Sequence, residues 1–414
     1  MKFKRDIIKN IDMVLASLLL FSSLCLTSRT YIFVYIFIEL LTALYIFHQK
    51  IKIRYNIFIF WYIIISFIIC LYGLFTPYLG WFSFQYYLVI CLSVIELYFL
   101  FDMSNKDLYK SIIICIVMTT YICAFYLLIR ELPIFISKFI AITQGKDWFR
   151  LGVSSDVNPT AIAYFFGILS QFSIYYFARY RDKKIIFSIL IQIIMIILSG
   201  SKKGMILLLI PLFIFAIDNS MKNPKNIIKY ILTFIFMVFL IFNVPFLYNI
   251  IGYRIIDFFQ AFGMNFIPNQ SIYSQADTST SLRVNMIMEA YDLFKRHIFF
   301  GNGWNAFAGL TQYRYYSHCN YLELLSSMGL FGFGLYYSIY YFIMRKIIHL
   351  KNIEHKLLII SLIAALLISD FSSITMYDTV ISYFAILIVS LIVFVKYNSI
   401  QVFLKNVIRK DEKI

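Results

Sequence analysis

The chain has 414 residues, 61% of them hydrophobic and 14% charged, with a mean hydropathy of +0.80; soluble chains are typically about 45–50% apolar and about 25% charged, so a soluble enzyme is excluded. The formal net charge of +16 falls in short loops between apolar runs, where it orients helices and meets anionic headgroups, and there is no basic, aromatic-interleaved patch that would grip nucleic acid. The six cysteines (Cys25, Cys70, Cys91, Cys115, Cys123 and Cys319) form no C-x-x-C pair and read as small apolar residues, neither a disulfide framework nor a metal site.

The N-terminus pairs basic residues with an apolar stretch but lacks a small-x-small cleavage site, so a retained signal-anchor helix is expected. Apolar segments then recur at 11–28, 30–48, 55–75, 83–101, 109–129, 159–178, 185–200, 204–217, 227–248, 319–343, 357–373 and 378–395. Backbone in lipid must satisfy its own hydrogen bonds, so all should be helices. The expected fold is all-α: one integral membrane domain over residues 1–414, a polytopic transmembrane bundle of about 12 helices. With the N-terminus placed inside, cytoplasmic segments hold 25 Lys and Arg and outer segments 12. That excess predicts both termini in the cytoplasm.

Two outer segments, about 130–158 and about 249–318, are too long for simple turns and are expected to carry function. Within the second, Ser279 to Phe300 has a Ser/Thr-rich start and apolar residues at helical spacing: Leu282, Met286, Met288, Leu293 and Ile298. One or two helices lying on or near the outer membrane surface are expected there.

Chemistry-bearing residues collect in three clusters on that outer face. The first is Arg150-Leu151-Gly152 followed by Asn158-Pro159. Asn158 suits an N-cap and Pro159 a first helical turn, which leaves Arg150 as either an interfacial anchor or a ligand. The second runs from Ser199 to Gly204 and includes Ser201, Lys202 and Lys203. Two lysines outside run against the positive-inside trend, so their partner is a lipid phosphate or a substrate pyrophosphate at a helix N-terminus. The third joins Arg283, Gly301-Asn302-Gly303-Trp304 and His318-Cys319-Asn320-Tyr321-Leu322-Glu323, then Gly329 and Gly332. His318 and Glu323 are ionisable groups at a membrane boundary, where such residues are functional candidates. Gly329 and Gly332 most simply permit close helix packing. The cytoplasmic loops carry no nucleotide-binding pattern.

Together and in this order the clusters resemble the O-antigen ligase and polymerase superfamily of bacterial envelope polysaccharide assembly. The resemblance lies in R-x-G-x5-N-P at 150–159, S-G-S-K-K-G at 199–204, S-L-R at 281–283, G-N-G-W at 301–304 and H-C-N-Y-L-E-L-L-S-S-M-G-L-F-G at 318–332. It covers roughly residues 145–335; the first five helices match in topology alone. The middle motif carries two lysines where relatives more often show Arg, and Lys cannot form the bidentate phosphate fork.

The resemblance implies a GT-C-like, metal-independent glycosyltransferase with no cofactor, in the bacterial cytoplasmic membrane with its site on the outer face. It implies His318, Arg283 and Arg150 as catalytic, and Lys202, Lys203, Ser201, Asn158, Asn320, Glu323, Gly301 and Gly303 as substrate-binding. The implied partners are undecaprenyl-pyrophosphate-linked oligosaccharide, membrane lipids, a chain-length regulator and a flippase. The expected activity is polymerisation of O-antigen or capsule repeats. The alternative is ligation of the finished glycan to lipid A-core or another surface acceptor. A polysaccharide flippase or secondary transporter would place ionisable residues near mid-bilayer in paired halves, a pattern the outer-face clusters do not follow.

Overall fold

The computed structural model describes residues 11–27, 31–49, 56–76, 78, 81–103, 108–143, 150–152, 157–223, 225–244, 248, 252, 276–350, 353–376 and 380–395. The described residues are all-α. In chain order the helices are α1 (Ile11–Cys25), α2 (Ile32–His48), α3 (Ile57–Phe75), α4 (Trp81–Met103), α5 (Leu108–Thr143), α6 (Pro159–Tyr180), α7 (Lys184–Ser199), α8 (Lys202–Lys222) and α9 (Lys225–Asn243). Then follow α10 (Ala276–Arg296), α11 (Ala306–Leu310), α12 (Asn320–Ile347), α13 (Ile353–Ser369) and α14 (Val380–Ser390), the last running into a π-helical turn. A helix stands at every one of the twelve apolar segments.

These helices are built for lipid. Among the described residues, Ile57–Phe75, Leu108–Ser137 and Pro159–Tyr180 are long and apolar enough to cross a membrane, and five shorter apolar helices accompany them. On α3, Phe60, Ile63, Phe67 and Leu74 are exposed at helical spacing, a stripe that would be penalised in water and is at home among acyl chains. The chain is an integral membrane protein.

The chain divides into two compact units, Met1–Ile38 with Tyr109–Met288, and Glu39–Leu108 with Glu289–Ile414. In the first unit, α6 is buried from Ile162 through Tyr175, with α7 and α8 packed on it. Polar side chains tie the helices together. Gln192 of α7 donates to Thr120 of α5 at 2.8 Å and to Ser173 of α6 at 3.0 Å, and Ser17 of α1 donates to the Cys115 carbonyl of α5 at 3.2 Å. In lipid such bonds replace the hydrophobic drive as interhelical glue.

In the second unit, the side chains of α14 are buried along its whole length. Tyr383 of α14 meets the rings of Trp61 and Tyr62 of α3, and the Trp61 indole N–H donates to the Leu335 carbonyl of α12 at 2.9 Å.

Two details depart from expectation. The apolar pattern placed the end of the fifth segment near 129, where Arg130 and Glu131 begin an apparent loop. Helix α5 instead continues to Thr143 through Pro133. The charges do not end it because the helix absorbs them: Arg130 donates to Tyr126 at 2.8 Å and lies over the Tyr31 ring, while Glu131 is buried. The other departure is Gly329, expected to serve packing. It breaks α12, with φ 65° and ψ −163° inside an otherwise continuous helix.

Candidate active site

The first two sequence clusters meet in the first unit. Asn158 caps α6, its side chain accepting the Thr160 N–H at 2.8 Å, with Pro159 in the first turn. Helix α7 ends at Gly200, which takes the left-handed conformation a C-cap favours. The Arg150 guanidinium crosses this junction: Nε donates to the Ser199 carbonyl at 3.0 Å and Nη2 to Thr160 Oγ1 at 3.3 Å. The Leu151 N–H also bonds to the Leu198 carbonyl, at 2.9 Å. Carbonyls at a helix C-terminus lack intrahelical donors, so a cation there is favoured twice, by hydrogen bonding and by the helix dipole. Arg150 therefore fastens the end of α7 to the start of α6.

Lys203 lies one turn away. It is only 8% exposed, and its ammonium stands 3.9 Å from the centroid of the Tyr164 ring, a cation–π contact. The neighbouring Gly204 makes this packing possible, since a Cβ there would stand 2.6 Å from the Cβ of Ala163. Ser201 is buried in the same turn. Helix α8 begins at Lys202, two residues before the glycine from which the sequence placed it; the Lys202 side chain lies outside the described residues. Arg283, also in this unit, is exposed on α10.

The rest of the third cluster lies in the second unit. The loop 298–303 runs along the broken stretch of α12. Asn302 and Gly303 donate backbone N–H groups to the Ser326 and Ser327 carbonyls at 2.9 Å each. Leu330 and Phe331 return N–H bonds to the Ile298 and Phe299 carbonyls at 2.9 and 3.1 Å. The Asn302 side chain adds bonds to the Leu293 and Ser326 carbonyls. Backbone packs on backbone so closely that a Cβ at Gly301 would stand 2.3 Å from the Ser327 carbonyl carbon, and one at Gly329 would stand 2.4 Å from that of Phe299. Both glycines have positive φ, 70° and 65°. G-N-G and the later glycine are thus one device, a loop that satisfies the groups freed by a helix break.

His318 precedes α12 with φ 60°, a left-handed backbone for a non-glycine residue. Its ring is half-buried and packs edge-on against Tyr315 and Tyr316, with centroids 5.8 and 4.7 Å apart. Glu323 is fully buried, and Oε2 accepts the Ser317 N–H at 2.9 Å. Asn320 is fully buried and its side chain is committed to protein. Oδ1 accepts the Thr375 and Met376 N–H groups at 3.1 Å each, and Nδ2 donates to the Tyr337 hydroxyl at 3.1 Å.

That hydroxyl leads to a residue sequence reasoning passed over. Tyr337 donates to Asp370 Oδ2 at 2.7 Å, and the Thr375 hydroxyl donates to Oδ1. Asp370 is fully buried beyond the end of α13. A lone carboxylate inside the apolar run 357–373 was the signal that could have found it.

Residues 187–337 match the family model described as O-antigen ligase. The match supports the O-antigen ligase and polymerase superfamily, on residues that hold the second and third clusters. It ends at Tyr337, so Arg150, Asn158 and Asp370 lie outside it. No curated protein matches the chain. The superfamily resemblance read from the motifs therefore stands on an independent comparison. The match supports a function of the O-antigen ligase or polymerase type.

Proposed function

We propose that the protein is a polymerase joining undecaprenyl-pyrophosphate-linked oligosaccharide repeats into O-antigen or capsule on the outer face of the cytoplasmic membrane. In this reading His318 takes the proton of the acceptor hydroxyl as the new glycosidic bond forms. The anomeric carbon releases undecaprenyl pyrophosphate, which leaves with the bonding electron pair. Arg150, Lys202, Lys203 and Arg283 supply the positive charge the leaving pyrophosphate needs. The energy resides in the donor, so neither metal nor nucleotide is required. Membrane lipids surround the enzyme, with a chain-length regulator and a flippase as working partners.

The observation that carries the reading is His318. It is a titratable side chain held in a left-handed backbone conformation between two tyrosine rings, within the stretch that matches the family. Strained non-glycine residues cluster at functional sites, and imidazole titrates in the range a general base needs. The family's description favours a second reading, the ligase, in which the acceptor is lipid A-core or another surface glycolipid.

Purified protein incubated with lipid-linked oligosaccharide alone should give a ladder of longer lipid-linked glycans, and His318→Ala should abolish it while the protein still inserts. Transfer that appears only when an acceptor glycolipid is added would favour the ligase. Wild-type transfer by His318→Ala would remove the assigned role.

A further inference from the structure

We infer that Asp370, with Asn320, Tyr337 and Glu323, is the positioning apparatus of His318. This rests on the reading of His318 as the group that acts on the acceptor hydroxyl. The sequence suggested Asn320 and Glu323 as substrate ligands; their geometry assigns them to holding the histidine.

His318 is gripped from both sides in the chain. On the N-terminal side, the Ser317 N–H is held by the buried Glu323 carboxylate at 2.9 Å, and the Ser317 hydroxyl donates to the Cys319 carbonyl at 3.2 Å. On the C-terminal side, the Asn320 N–H donates to the Asp370 backbone carbonyl at 2.7 Å. The Asn320 amide is bonded to both Thr375 and Met376, so α12 is tied at its first residue to the turn after α13. Asp370 completes the ring: one carboxylate oxygen holds Tyr337, which holds the Asn320 amide, and the other holds Thr375. Tyr336 adds a hydroxyl contact to Thr375 at 3.2 Å.

A left-handed backbone at a β-carbon-bearing residue costs on the order of 1–3 kcal/mol and persists only where surrounding structure over-determines it. Here two anchors, three positions apart, over-determine it: Ser317 before His318 and Asn320 after it. Ser317, Asn320, Glu323, Asp370 and Thr375 are buried, whereas Tyr337 and the His318 ring are half-exposed. A rigid frame therefore presents one mobile-capable, titratable ring, the arrangement a proton acceptor requires. A displacement near 1 Å at such a group can cost on the order of 10²-fold in rate.

The test uses the full-length protein in lipid nanodiscs with lipid-linked oligosaccharide. Asp370→Asn, Tyr337→Phe and Thr375→Val each remove part of the frame without touching His318. Two quantities are read: steady-state transfer, and the rate of diethyl pyrocarbonate modification at each histidine by mass spectrometry. The exposed His297 serves as internal reference. The expected result is a kcat loss of about tenfold to 10²-fold with little change in KM for the donor. His318 modification should accelerate several-fold relative to His297. Tyr337→Phe, which deletes one hydroxyl, carries the test if Asp370→Asn fails to insert. Unchanged His318 modification in every inserted variant overturns the positioning role, whatever happens to transfer. Altered modification with normal transfer upholds the frame and instead overturns the catalytic reading of His318.

Discussion

The side-chain amide of Gln171 on α6 donates to the backbone carbonyl of Leu207 on α8. That carbonyl is available because the residue four positions on is Pro211, inside the same helix, and proline has no N–H to give back. Gln171 replaces the missing donor from a neighbouring helix. Gln171→Leu should therefore destabilise the protein by about 1–3 kcal/mol, the cost of an orphaned buried carbonyl. In a Pro211→Ala background, where residue 211 regains its N–H, the same change should cost less. Thermal unfolding of the four proteins of this cycle in detergent measures the coupling. Equal losses in both backgrounds would show that Gln171 acts independently of the proline.

Gly301→Ala and Gly329→Ala should each cost about 3 kcal/mol or more. Strain at positive φ adds to overlap with the facing backbone, which cannot move aside as a side chain could. Gly334 lies on the same helix as Gly329, but a Cβ there meets nothing within 4 Å. Gly334→Ala should be neutral or stabilising by up to about 1 kcal/mol. Melting temperatures of the three variants decide the matter, and a Gly301→Ala protein that melts like Gly334→Ala would contradict the close backbone approach.

Arg150→Lys keeps the charge but loses the fork that reaches the Ser199 carbonyl and the Thr160 hydroxyl together. Polymer formation in cells, normalised to membrane protein level, should fall for this variant and for Arg283→Lys. Normal polymer from both would reduce the two arginines to anchors.

Lys203 depends on an aromatic face, so Tyr164→Phe should leave its contribution intact whereas Tyr164→Leu should not. A cation–π contact shielded from water is worth on the order of 2 kcal/mol. Glycan transfer and melting temperature should therefore separate the two tyrosine variants, and identical behaviour would mean the ring serves packing alone.

The distribution of basic residues predicts that both termini lie in the cytoplasm. Single cysteines at positions 145 and 275 in a cysteine-free background should react with a membrane-impermeant thiol reagent in intact cells. Labelling only after permeabilisation would invert the topology.

The sequence by itself determined that the chain is helical and membrane-embedded, and where most helices lie. Both follow from a local quantity, the run length of apolar side chains that a lipid solvent demands. It also singled out His318 as a candidate, because an ionisable group at the edge of such a run is conspicuous, and it found the Asn158 cap, whose partner is two residues away. The tertiary structure decided what local pattern could not express. Arg130 and Glu131 read as a loop because solvation of charge is judged residue by residue, yet α5 continues through them, with Arg130 held by Tyr126 and Tyr31 and Glu131 buried. Gly301 and Gly329 are separated by 28 positions in the chain, and their shared purpose exists only where the two backbones touch. Asp370 looked like an isolated acid in an apolar run; its meaning lies in Asn320 and Tyr337, which reach it by hydrogen bonds whose geometry depends on the packing of α12 against the end of α13. Hydropathy is additive along the chain and so can be read from it, whereas directional bonds between distant segments depend on positions that only folding sets.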